Sequence, residues 1–530
     1  MTLNGLLPVF ARDPQLAQAI DRAKDLAKSH EVIGPRALSP MLMALLAEPA
    51  YGDRTLLAVT ATTREAEDLA TELRGFLAAD AVVEFPAWET LPHERLSPTH
   101  DTVGRRLQVL RRLAHPDDRW SGSGEIKVVV AGVRALLQPI VTGLGDLEPV
   151  SVRAGESPGL EAVVEQLVSI GYGRTDLVTR RGELAVRGGI VDVFVPTDDH
   201  PLRLEFFGDE VEEVRSFSVT DQRSLDLVER GLWAPPCREV LLTPQVRARA
   251  GELAQQYPEL IDILEPLSNG IHVEGMESLA PVLCEGMSTL LELLPKDALA
   301  LVCEPERVRR RAEDLLATSA EFLAAGWQAA ATGAQAPLDV SAASYRTLAA
   351  MREQAADLGL AWWTFAPFGM NVADADADAD AEPDPDSDEN VDAGPAGISA
   401  IAGFRGDVSA AMNLVGKRVR AGDRVVIVTA GHGPAARLAE QLADRDVPAR
   451  MVGALDSEPR ARVATVVTGP LQFGVDAPLV GLLVLTETDL LGSQGVASRA
   501  PTKMPTRRKR TIDPLQLSPG DYIVHEQHGV

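Results

Sequence analysis

The stretch "LLAVTATTREAEDLATELRGFL", Leu56 to Leu77, decides the fold class. Five apolar or small residues run straight into a Thr-rich turn, and a helix with an acidic first turn follows. A continuous apolar run of this length predicts a strand buried on both faces, not one with a wet side. The same strand-to-helix grammar returns at "IKVVVAGVRALLQPI" (Ile126 to Ile140) and at "DALALVCEP" (Asp297 to Pro305), which leads into a long helix. Strands that alternate with helices predict a parallel sheet covered by helices on both faces.

Between about Val150 and Trp233 the pattern changes. Short stretches alternate with period 2, and Gly208-Asp209 separates "LRLEFF" from "EVEEV" as a two-residue hairpin turn. This predicts an antiparallel α+β insert. In "PLRLEFF", Leu202, Leu204 and Phe206 share one strand face, and Arg203, Glu205 and Phe207 share the other. Arginines with an aromatic on a wet face have the composition of an interface. Internal ion pairs with Glu183, Asp192 or Glu205 are the alternative.

The chain has 530 residues, room for several domains, and 45% hydrophobic residues, enough for true cores. No apolar run reaches the roughly 18 residues of a membrane span, and the N-terminus lacks a signal-peptide pattern. Three widely spaced cysteines (Cys237, Cys284, Cys303) fit reduced thiols. Together these predict a soluble cytoplasmic protein with no membrane contact. The net charge is −26, of which ten charges lie between Ala373 and Asp392 without one Lys or Arg. That tract cannot bury enough apolar surface to fold and reads as a solvated spacer. No large basic field remains to hold a duplex.

Beyond the spacer, "DRVVIVTAGHGPAARLAEQLADRDVPARMVG" and "VGLLVLTETDLLG" predict a second α/β unit. A basic run, "APTKMPTRRKRTIDP", then leads to "LSPGDYIVHEQHGV", which reads as the start of a further β-rich region. No string matches the G-x-x-x-x-G-K-[ST] phosphate loop. In "LVGKRVRAG", Ala411 stands at the first glycine's place and Arg418 at that of the Ser or Thr, and "EVIGPRALSPMLMALL" has no lysine. Gly431, Gly433 and Ala436 form a weak dinucleotide pattern with Asp456 as the distant acid; a tight strand-to-helix turn is the simpler reading. His525 and His528 lack a third metal ligand, and Glu487 and Asp489 at a strand end read as a capping pair.

In "EFPAWETLPHERLSPTHDTVGRRLQVLRRL" (Glu84 to Leu113), Val103, Leu107, Leu110 and Leu113 recur at helical spacing among Arg105, Arg106, Arg111 and Arg112. Its W-E-T-L-P loop resembles that of the bacterial transcription-repair coupling factors, which share an N-terminal module with the excision-repair protein UvrB. The resemblance continues, in family order, through "GYGRTDLVTRRGELAVRGGIVDVFVP", "LRLEFFGDEVEEVRSF", "GIHVEGMESLAP" and "LLVLTETDLLG" to "SPGDYIVHEQHGV". It implies a RecA-like parallel-sheet domain without its phosphate loop at 1–149 and 234–370, and a UvrA-binding insert at 150–233. The acidic linker, 371–397, is the part that does not match, and a small α/β domain of unknown role at 398–495 and a basic linker at 496–514 follow it. Residues 515–530 would begin the RNA polymerase-interacting domain. Matched positions carry over Arg174, Arg187, Arg203 and Phe194 as UvrA contacts. The same resemblance implies no catalytic, cofactor or metal site in this chain. ATP, magnesium, double-stranded DNA and the polymerase β subunit would be engaged by the whole family protein, through a translocase and a polymerase-binding domain further along.

Overall fold

Leu56–Thr60 is a strand buried at every position, and Thr63–Leu73 is the helix that follows it. Thr62 starts that helix with a capping box: its hydroxyl accepts from the Glu65 N–H, and the Glu65 carboxylate accepts from the Thr62 N–H. The structure, a computed structural model, describes residues 2–91, 96–118, 124–331, 344–367, 397–401, 404 and 407–491. The acidic tract, the basic run and the C-terminal "SPGDYIVHEQHGV", with His525 and His528, lie outside the described residues.

Six parallel strands build the first sheet, in the order Glu31–Ile33, Ala361–Ala366, Leu299–Cys303, Leu56–Thr60, Val128–Gly132, Val82–Phe85. A second six-stranded sheet runs Ser399–Ala400, Val475–Ala477, Leu482–Thr486, Arg424–Thr429, Ala464–Thr468, Ala449–Val452. Its last four strands pair in parallel, and the first two join it antiparallel.

The two sheets are not independent. Leu3, Leu6, Val9 and Phe10, all wholly buried, pack in one continuous core with Leu56, Val128 and Trp363 of the first sheet's side and Val426, Val467 and Val484 of the second. The buried helix Ser39–Ala47 contributes to the same layer. Sequence alone suggests two separate α/β units, because the N-terminal segment that joins them carries no strand signal of its own. Backbone bonds tie it down: Gly5 N–H donates to Leu455 C=O, and Leu455 N–H donates to Thr2 C=O. A Cβ at Gly5 would sit 2.1 Å from the Ser457 carbonyl oxygen, so the approach requires glycine. On the far side of this layer, Glu72 accepts from the Gln472 N–H at 2.9 Å, and burial pushes its carboxyl up to about 7.

The insert hangs between the fourth and fifth of the first sheet's strands in chain order. Its ends close on each other, Val150–Val152 antiparallel to Leu232–Ala234. Six strands follow the order Ser224–Leu227, Glu210–Phe217, Leu202–Phe207, Ile190–Val193, Glu183–Arg187, Gly173–Arg174, antiparallel except for the last pair. Phe207 pairs with Glu210 across the Gly208-Asp209 turn, where Gly208 takes φ +64°. One face packs Leu184, Val191, Val193, Leu202, Leu204 and Val214 against Val163 and Leu167 of the helix Leu160–Ser169.

A buried ion pair joins the helix that precedes the insert to the segment that leaves it. Arg106 and Glu239 both have fully buried side chains, and Arg106 Nε donates to Glu239 Oε1 at 2.5 Å. Trp88 Nε1 donates to the same carboxylate at 2.9 Å, and Arg106 Nη1 donates to the Pro86 carbonyl. The guanidinium lies 4.5 Å from the Phe85 ring centroid. The W-E-T loop is therefore structural: Glu89 accepts from the Thr99 and Thr102 hydroxyls, and the Thr90 carbonyl accepts from Arg134.

A buried charge left alone is costly. Arg106→Ala should lower stability to chemical denaturation by roughly 3–5 kcal/mol, while the paired change Arg106→Met with Glu239→Leu should recover most of the loss. Equal losses in the single and the double variant would contradict that origin. Glu72 gives a second test. Its folded pKa lies above the unfolded value, so the folded chain holds the extra proton between the two. Stability should fall as pH rises from about 4.5 and level off above about 7, and Glu72→Gln should flatten that part of the profile. A profile unchanged by Glu72→Gln would assign the slope to other groups.

Candidate docking face on the antiparallel insert

The four residues singled out by matched motifs occupy different surroundings. Arg187 ends its strand exposed, with Nη2 donating to the Asp176 carbonyl at 2.7 Å. Arg174 is exposed on the edge strand. Arg203 is not waiting for anything: its Nε and Nη2 donate to the two carboxylate oxygens of Asp192 at 2.7 and 2.8 Å. Asp192 stands directly opposite it in register. The hydrogen bond to that carboxylate raises the Arg203 pKa above its usual value. Only 15% of the Arg203 side chain is exposed, and its guanidinium covers the Phe217 ring at 4.7 Å.

Phe194 calls for a correction. It is 4% exposed, so it offers no surface to a partner. It packs with Val178, Ala185 and Phe217 in a small core, with the Arg181 guanidinium 5.0 Å from its ring. Arg181 in turn pairs with Asp101 on the helix His100–Ala114 at 3.1 Å. The face expected to be wet is thus half covered. A matched motif position cannot show that Phe194 is covered by Val178 and Phe217 from elsewhere in the chain.

What stays open is the half toward the hairpin tip. Arg187 pairs with Ile190, Ile190 with Glu205, and Glu205 with Glu213, a row across four strands on one face. Phe207, next on that face, is 81% exposed. Sequence placed it on this face without marking it as a contact; its position beside a two-residue turn, beyond the reach of any covering loop, was the available signal.

The glycine-bearing segments have other roles. Gly416 and Lys417 lie inside the helix Val408–Ala421, where their backbone cannot wrap a phosphate. Gly431 precedes the helix His432–Ala443, but Glu487 accepts from the Ala430 N–H at 3.1 Å and sets a carboxylate at that turn. Asp456 bonds the Thr2 hydroxyl. Asp489 is buried, accepts from the Thr486 and Gly474 N–H groups at 2.8 Å each, and is pushed upward in pKa by burial. After the Glu31–Ile33 strand, Arg36 faces Glu65 and Glu304 at 3.8 and 3.7 Å, so carboxylates line the cavity at the turn where a phosphate loop would lie. Burial raises the thiols of Cys284 to about 11 and Cys303 to about 12, which leaves them un-ionised and unreactive. Among the described residues, no three His, Cys, Asp or Glu side chains group to hold a metal, and no helix is long and apolar enough to cross a membrane.

Comparison with known proteins assigns the insert and the whole chain. The family described as "UvrB interaction domain" matches residues 150–235. The transcription-repair-coupling factor of Mycobacterium tuberculosis is 41% identical over 544 residues, covering 100% of this chain and 42% of the relative. That of Bacillus subtilis is 25% identical over 505 residues, 90% of this chain and 39% of the relative. In Myxococcus xanthus the namesake is 34% identical over 260 residues, 46% of this chain and 21% of the relative. The chain thus spans about two fifths of the length of the relatives it matches along its whole course. With an interaction domain held on a P-loop-free α/β body and whole-chain identity to these proteins, the chain belongs to the transcription-repair-coupling factor family.

Proposed function

We propose that this chain is an adaptor that recruits UvrA through the open half of the insert's outer face. The observation that carries the reading is a pair of exposed arginines, Arg174 and Arg187, on a sheet tied to the body by the Arg181–Asp101 ion pair, within the segment matched as an interaction domain. Exposed guanidinium groups on a rigid sheet lose little entropy on docking and suit carboxylates on a partner. Arg203 acts behind them as a positioning residue, since its pair with Asp192 holds the third and fourth strands of the sheet in register.

In the whole family protein, this face would bring excision repair to a lesion where RNA polymerase has stalled. Polymerase β-subunit binding and ATP- and magnesium-dependent translocation on double-stranded DNA belong, in this reading, to regions other than the one described. The chain itself works by binding, without a cofactor and without hydrolysing ATP. Carboxylates at both turns that could have cradled phosphate support that division of labour.

Calorimetric titration of the chain with purified UvrA tests the proposal. Wild type should bind with saturation, and Arg187→Ala and Arg174→Ala should each cost about 1–2 kcal/mol without change in thermal unfolding. Arg203→Ala should instead lower the unfolding temperature, because it strands Asp192 in a nearly closed site. Saturable ATP binding with no UvrA binding would overturn the reading.

A further inference from the structure

The second α/β unit closes a cavity at the strand ends of the first sheet. In a parallel α/β sheet the crevice outside the carboxyl ends of the strands is where a ligand sits. Three neighbouring strands reach that edge at Thr60, Cys303 and Phe365, and these residues line a cavity there. One of its walls belongs to the second unit, to Gln472 and Phe473. The turn that carries them is held from both sides. On the body's side, Glu72, in the last turn of the helix Thr63–Leu73, accepts from the Gln472 N–H at 2.9 Å. On the other, Thr486 Oγ1 donates to the Gln472 carbonyl at 2.9 Å, and the buried Asp489 carboxylate accepts from the Gly474 N–H at 2.8 Å. A Cβ at Gly75 would sit 2.9 Å from Pro470 Cγ, so the turn lies close against the end of the body's helix.

We infer that the second unit serves the body as a built-in lid: the turn Pro470 to Gly474 takes the place at the strand ends that a ligand takes in other α/β domains, and Glu72 fastens it. An edge that waits for a ligand is divided between open and closed states until the ligand arrives. Here Leu471, just before Gln472, is buried in the core that both units share, so the closing element is part of the chain. Glu65, Asp68, Glu72 and Glu304 line the cavity against Arg36 alone, a lining that repels phosphate and leaves the place to the turn. The first sheet's edge is thereby kept in one state, and the insert that the body carries has a constant mount.

Cys303 reports on the lid, because it lines the same cavity. The test is N-ethylmaleimide labelling of the whole native chain, resolved by mass spectrometry at Cys237, Cys284 and Cys303. It compares wild type with Phe473→Ala, Glu72→Ala and Glu72→Gln. Cys303 should react about tenfold faster in Phe473→Ala and in Glu72→Ala, as the turn opens locally. Cys284, packed against the core on the other face of the first sheet, should keep its wild-type rate. Glu72→Gln retains an acceptor for the Gln472 N–H and should stay within about twofold of wild type. Unchanged labelling of Cys303 in both alanine variants would overturn the inference, since the turn would then rest on the body without closing it. A rise shared equally by all three cysteines would overturn it too, as the mark of general loosening. Equal acceleration in Glu72→Gln and Glu72→Ala would overturn the hydrogen bond as the lid's fastening.

Discussion

One buried charge pair closes the body at the point where the insert leaves and rejoins it. Arg106 and Glu239 come from opposite sides of the insert in sequence, the first from the helix that precedes it and the second from the segment that leaves it. Where they meet, the Trp88 indole and the Pro86 carbonyl complete the hydrogen bonding, and the Phe85 ring backs the guanidinium. A pair this deep contributes little net stability over a well-packed apolar substitute, because desolvating both ions offsets much of their attraction. What it supplies is a single geometry. A satisfied pair punishes any arrangement in which only one ion is buried, so the segment leaving the insert can meet the helix before it in one way.

The same chemistry is repeated across the insert in graded form. Arg106 is wholly enclosed, Arg203 and Arg181 are partly covered and lie over Phe217 and Phe194, and Arg187 and Arg174 stand in solvent. Burial of the charge falls from Arg106 to Arg187 and Arg174, and the role changes with it, from closing the body, to fixing the strands, to the partner contact proposed above.

Local patterns made much of this legible. The five-residue apolar run at Leu56 gave a buried parallel strand, and Gly208-Asp209 gave the hairpin, because both depend on neighbours within a few residues. The alternation of "PLRLEFF" sorted its side chains onto the correct faces. Long-range closure was not legible. Nothing near Arg106 in sequence announces Glu239, and helical spacing does not show that two of the four arginines around the apolar stripe, Arg106 and Arg112, are buried. Phe194 was carried over as a contact by motif position for the same reason: the cluster that covers it draws Val178 and Phe217 from elsewhere in the chain. Leu3 to Phe10 shows no amphipathic strand or helix of useful length, yet it fills the layer between two sheets.

Hydrogen exchange of the chain, alone and with saturating UvrA, tests the docking face most directly. The account predicts new protection confined to backbone amides of 174–190 and 205–213, with the second sheet and the shared N-terminal layer unchanged. Protection centred instead on the 424–486 sheet would place the partner on the other α/β unit and contradict the account.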